Sequence, residues 1–261
     1  MKSFTHGALG LAIAALTACN TDGIGPDLTP ALSRVVNRDA ALVTADAAAQ
    51  DIEMMGGPGG AFASGFAPSL AAGEEDHAPF RCGTHNREGL TIVRTCTFKD
   101  AAGAVQAAYH PETTASVAIH AEVDGTITRN DWSATVDRTR DLTVSGLAGT
   151  ETQRTWNGTG SATSTRSRHS DAGESRQYDV TATGAMTNVV VAVPRSENSW
   201  PLSGTVSKQV TIKITGGPRD GQTVTRSVTI TFNGTQFVPI KVNDDTFTFD
   251  LKIRRIVRDG V

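Results

Sequence analysis

From residue 80 to about residue 258, apolar and polar side chains alternate, and helix formers are sparse among abundant threonines. A period of two sends successive side chains to opposite faces of a strand, so this stretch predicts β structure with one buried and one wet face. The pattern is sharpest near the C-terminus. Val206, Val210, Ile212 and Ile214 share one parity, and Ser207, Gln209, Thr211 and Lys213 the other. Val224, Val228, Ile230 and Phe232 repeat it, followed by Asn233-Gly234, a strong hairpin signal, and by Val238, Ile240 and Val242. After Asn243-Asp244-Asp245 come Phe247, Phe249, Leu251 and Ile253. These four segments predict an antiparallel meander.

Upstream, residues 90–98, 117–129, 132–144, 152–168 and 177–193 read as further strands, with Asn157-Gly158 predicting a turn that splits the fourth into a hairpin. The fragments at 155–160 (TWNGTG) and 231–236 (TFNGTQ) suggest the same turn chemistry used twice. About nine or ten strands are expected, enough for a curved sheet, a half-barrel or a closed barrel. The fold class is therefore mainly β, an antiparallel meander with one N-terminal helix. Strands between about 152 and 185 carry Ser, Thr, Ala and Gly on both faces, which suits either a lined hollow or an exposed surface.

The helix is expected over 30–55. Thr29 is a good N-cap, Pro30 suits the first helical position, and no further proline or glycine intervenes before Gly56. Leu32, Val35, Val36, Leu42, Val43, Ala45, Ala49 and Ile52 predict its apolar face. Residues 56–79, rich in Gly, Ala and Pro, read as a flexible connector between this helix and the β domain at 80–258.

The N-terminus has its own logic. Lys2 precedes an apolar run from about Gly7 to Leu16 that is too short to span a bilayer. It ends in Leu16-Thr17-Ala18-Cys19, which resembles the lipobox of bacterial lipoproteins. The resemblance implies a signal peptide at 1–18, removed before Cys19. It implies diacylglycerol on the Cys19 thiol, an acylated amine, and a tether at 19–29. Several acyl chains make such attachment effectively permanent. Asn20 rather than aspartate implies outer-membrane sorting, so the expected place is the cell envelope, with the membrane as a partner through lipidated Cys19.

An exported compartment permits disulfides, and Cys82 and Cys96 remain as a pair. They lie symmetrically about Gly89, so a hairpin turning there would set them face to face across two strands. Two buried thiols are the alternative; a zinc site with His85 would lack a fourth ligand.

Chemistry beyond the anchor is sparse. The net charge of −3 disfavours a nucleic-acid partner. No nucleophile-elbow, nucleotide-binding or EF-hand motif occurs, and no catalytic residue, metal site or cofactor is implied. His110 and His120 stand out only as a pair that strands could bring together, and Trp132, Trp156 and Trp200 as a sugar platform or as packing. Arg138 and Arg140 share parity with Trp132, Ala134, Val136, Leu142 and Val144. A guanidinium on an apolar face must be paired or must reach water. These two are candidate anion contacts; the competing reading is cross-strand pairing with Asp131, Asp137, Asp141, Glu151 or Asp179. Three functions stay open: a non-enzymatic binding or structural module of the envelope, a carrier of an apolar or amphiphilic ligand on a concave sheet face, and an enzyme without a recognisable motif. The partners these imply are an envelope macromolecule or a lipid ligand.

Overall fold

A computed structural model describes helical residues 34, 36–38, 40–41 and 44–45, together with residues 80–259 apart from 81, 88, 129–131, 148–150, 170–174, 194–199, 218–219 and 254. The signal, Cys19, the tether and the 56–79 connector lie outside the described residues, as does most of the 30–55 helix. We call the helix α1.

The alternating region folds into one antiparallel sheet of twelve strands. They are β1 (Gly83–Arg87), β2 (Leu90–Lys99), β3 (Val105–Gln106), β4 (Ser116–Thr128), β5 (Trp132–Ser145) and β6 (Gln153–His169). Then follow β7 (Ser175–Ala192), β8 (Ser203–Thr215), β9 (Thr223–Thr231), β10 (Phe237–Val242), β11 (Asp245–Asp250) and β12 (Arg255–Asp259). Neighbours in space are neighbours in sequence, except that β3 pairs with one end of β2 beside β1. β1 and β12 are the two ends of the sheet, which does not close into a barrel.

One face is buried. From β4 to β11 the inward positions include Val117, Val144, Val189, Val210, Ile240 and Phe247, all at 1% exposure or less, and they join α1 in a single core cluster. β4 and β11 are seven strand spacings apart along the sheet, roughly 34 Å if flat. A helix about 10–12 Å across cannot cover that width, so the sheet must curl around α1 and the loop residues Phe80, Leu147 and Trp200.

The described part of α1 meets the sheet along one side. Val36, Asn37, Ala40, Ala41, Thr44 and Ala45 are buried, and Arg34 and Arg38 are exposed. These buried positions recur at i, i+4 and i+8, one helical stripe. Apart from Val36 it is built from small or polar residues, which let the helix approach closely. Of the predicted apolar face, Val36 and Ala45 are in this stripe; the other members lie outside the described residues. Asn37 holds the helix down. Its Nδ2 donates to Asp245 Oδ2 at 2.6 Å, and its Oδ1 accepts from Arg226 Nε. Burial pushes Arg226 below its usual pKa, and Asp245 opposes that shift.

Several local expectations are corrected. β6 runs unbroken through Asn157-Gly158, so no second hairpin forms there. The irregularity is a bulge with its extra residue on β7, between Met186 and Val189, and Asn157 Oδ1 accepts from the bulged Asn188 N at 2.8 Å. Gly158 is needed for close approach, since a Cβ there would meet Leu142 Cα at 2.8 Å. Asn233-Gly234 lies instead in a five-residue connection, tied by Gly234 N to Pro201 O and by Phe232 N to Gly204 O. The two similar fragments therefore make different structures. The tight turn is Asn243-Asp244, with Asn243 at φ 50°. Ile253 is exposed because β11 ends at Asp250, whose Oδ1 accepts from Lys252 N and Ile253 N and turns the chain.

Cys82 and Cys96 form a disulfide, which removes the zinc alternative. The register differs by one residue from the predicted one. Gly83 pairs with Arg94 and Arg87 with Leu90, so the hairpin turns between Arg87 and Leu90 and Cys82 would fall opposite Thr95. Gly83, at φ 101°, opens β1 just after Cys82, and the cysteine Cα atoms stand 5.8 Å apart.

Two stability predictions follow from these contacts. Replacing both Cys82 and Cys96 by serine should cost about 3 kcal/mol in urea unfolding, the closure entropy of a loop near 15 residues. Asn37→Ala should cost about 2 kcal/mol, because it removes hydrogen bonds to two half-buried charged groups, the Arg226 guanidinium and the Asp245 carboxylate; a loss under about 0.5 kcal/mol would mean that the clamp is not holding the helix.

Candidate functional site

Parity along β5 separates its charges. Asp137 and Asp141 point outward, while Arg140 is buried and Arg138 half-buried on the inward side. Asp137 and Asp141 thus lie on the face of the sheet opposite to these arginines. Of the other acids, Glu151 pairs with Arg154 at 2.7 Å, Asp179 accepts from Thr165 and Gln177, and Asp131 lies outside the described residues.

The register carries the inward cations across the sheet. One transverse row reads Ala121, Arg140, Gly160, Gly184, Lys208 and Val228. The adjacent row reads Val123, Arg138, Ala162, Ala182, Val210 and Arg226. Each row has a two-residue floor without large side chains, bounded by Arg140 and Lys208 in the first row and by Arg138 and Val210 in the second. The floor is the part of β6 and β7 whose small residues left the choice between hollow and surface open. Lys208 escaped the sequence reading. Its signal was there, a lysine at the buried parity between Val206 and Val210.

The two glycines let both the backbone of the neighbouring strand and the cation beside them approach closely, with Thr139 O 2.6 Å from a Cβ on Gly160 and Ser207 O closer still to one on Gly184. A Cβ on Gly160 would lie 2.5 Å from Arg140 Cδ and 2.7 Å from its Nη1. A Cβ on Gly184 would lie 2.6 Å from Lys208 Cγ. Each long side chain thus lies over its glycine neighbour, and the glycines face each other as cross-strand partners. Arg140 Nη1 donates to Thr139 O and Ser161 O, both at 2.9 Å, which fixes the guanidinium against the floor. Arg138, Arg140 and Lys208 also take part in further contacts within the protein.

Above this floor is a hollow lined by Arg138, Arg140, Lys208 and Thr44, with apolar walls that include Leu142, Val180, Met186 and Val206. Its cavity volume is about 50 Å³, within about 630 Å³ of atom-free space that includes the open mouth. That is room for a few waters or a small polar group. No acidic side chain is among the described lining residues. Thr44 is 2% exposed, and its Oγ1 has no hydrogen-bond partner.

The other candidates disperse. Trp156 and Trp200 are buried, the former beside Phe80, so they form no exposed sugar platform; the Trp132 side chain lies outside the described residues. His110 sits in the loop before β4, and His120 bonds instead to Asp141 Oδ1 at 2.7 Å on the outer face. Among the described residues no group of three or more His, Cys, Asp or Glu is placed to hold a metal ion. Comparison with protein-family models, curated proteins and solved structures finds no match.

His120 yields a pH prediction. Its hydrogen bond to Asp141, then that to Glu122, raises its pKa above the usual 6.5. The stabilisation from this pair is fully present below pH 6.5 and is lost as pH rises through the raised value. A proton NMR titration should place His120 above 6.5, and Asp141→Asn should bring it back down; an unchanged midpoint would refute the pairing.

Proposed function

We propose that the protein is a lipid-anchored, non-enzymatic binding module of the bacterial cell envelope, and that the inward face of its sheet receives an anionic group of an envelope macromolecule or ligand. The observation that supports this reading most is the placing of Arg138, Arg140 and Lys208 on the buried face over a floor of small residues. Arg140 is buried there and Arg138 and Lys208 are half-buried, so the inward face carries positive charge beside apolar walls. Guanidinium and ammonium groups lining a hollow with apolar walls suit a ligand with a charged head. Leu16-Thr17-Ala18-Cys19, in its resemblance to a lipobox, supports the anchor.

A second reading, a carrier of an amphiphile, is favoured by the apolar walls at Leu142, Val180, Met186 and Val206. The size of the hollow weighs against it. A space for a few waters admits a headgroup far more readily than a whole acyl chain, so a carried lipid would have to lie along the open mouth.

The test has two parts, both on protein made in a bacterial envelope. Labelled palmitate should enter the protein and be absent from Cys19→Ser. Native mass spectrometry of the detergent-extracted protein should show a bound mass that is lost in Lys208→Met. A protein with neither label nor bound mass would overturn the proposal.

A further inference from the structure

We infer that Asn233 is a site of spontaneous covalent modification, where the side-chain amide is lost and an aspartate or isoaspartate is left in the β9–β10 connection. The chain contains Asn-Gly twice, at 157–158 and 233–234, each followed by threonine. A glycine after asparagine leaves its backbone nitrogen open to attack the side chain, because no Cβ stands in the way and either sign of φ is accessible. By sequence the two sites are alike. The fold makes them different.

Asn157 lies within β6, paired with Thr143, and Gly158 pairs with Leu142 on one side and Met186 on the other. The Asn157 Oδ1 accepts from Asn188 N at 2.8 Å. Reaction there requires two ladders of the sheet interior to open together. Asn233, Gly234 and Thr235 are all exposed and lie in the connection between Thr231 and Phe237. The Asn233 Oδ1 accepts from Thr235 N at 3.1 Å and lies 2.8 Å from Thr235 Oγ1. Such a turn curls the carboxamide back over the Gly234 peptide. Gly234 N is tied to Pro201 O at 2.9 Å, a link between two loops. Exposed connections open at a far lower free energy than the interior of a sheet.

The step needs only water. A solvent base takes the Gly234 N proton as that nitrogen attacks Asn233 Cγ. The N–Cγ bond forms, the Cγ–Nδ2 bond breaks, and Nδ2 leaves as ammonia. Water then opens the cyclic imide at either carbonyl, giving aspartate or isoaspartate. The oxygen on which negative charge develops is the one that already accepts from Thr235 N. Loss of Nδ2 also ends its bond to Phe237 O.

The experiment incubates the folded full-length chain at near-neutral pH in heavy-oxygen water, then weighs its tryptic peptides. Residues 227–241 carry Asn233 and residues 155–166 carry Asn157; fragmentation separates a gain at Asn233 from one at Gln236. In urea the two sites should react at similar rates. In the folded chain Asn233 should react about tenfold faster than Asn157, the ratio given by a difference of about 1.4 kcal/mol in opening free energy. Equal rates in the folded chain, or a faster reaction at Asn157, would overturn the inference. So would an Asn233 that reacts in urea but stays intact in the folded chain, since the tie to Pro201 would then protect it.

Discussion

A sheet of twelve strands has one broad apolar face to keep from water, and among the described residues one helix lies against it. That mismatch governs the rest of the molecule. The sheet curls, loops carrying Phe80, Leu147 and Trp200 pack in at its ends, and α1 presents Ala40, Ala41 and Ala45 so that it sits close. The bulge on β7 shifts the alternation by one residue, moving the buried set from Met186 to Val189 and Val191, and bulges of this kind add bend and twist. Asn37 then fixes the helix to two separate places on the rim, Arg226 in β9 and Asp245 at the start of β11.

Close packing is not uniform along that face. Toward β10 and β11 it is filled by Val238, Ile240, Phe247 and Phe249. Toward β6 and β7 the side chains shrink to Gly158, Gly160, Ala162, Ala182 and Gly184, and the space is taken by cations reaching in from β5 and β8. Glycine in mid-strand weakens a sheet and commonly marks close approach by a ligand or another group. Here two glycines stand side by side, each beneath a charged side chain. The face of β4 and β5 turned away from the helix carries Glu122, Asp124, Asp137 and Asp141, with Asp124 directly opposite Asp137. The two faces thus hold opposite charge in this region.

Much of the architecture could be read from alternation alone. The β8 to β11 meander, its buried parity and the disulfide partners follow from a period of two and from a pair of cysteines flanking a glycine. Local turn chemistry misled where tertiary contact prevailed. Asn157-Gly158 has the composition of a turn, but its glycine serves the close passage of Leu142 and its asparagine caps a bulge in the neighbouring strand. The cysteine hairpin missed by one residue because it turns between the paired Arg87 and Leu90 and is therefore not centred on Gly89. Of the cation cluster, Arg138 and Arg140 were visible by parity. Lys208 was legible by the same parity, between Val206 and Val210, but its place beside the arginines depends on register across four strands, and that of Thr44 on the position of a helix, neither of which a linear sequence displays.

The central claim is that the gap between helix and sheet is a built anion site and not an accident of small-residue packing. Crystals of the protein soaked in tungstate, a tetrahedral oxyanion with strong anomalous scattering, test it directly. The account predicts an anomalous peak in the hollow lined by Thr44, Arg138, Arg140 and Lys208. A hollow without a peak would contradict it.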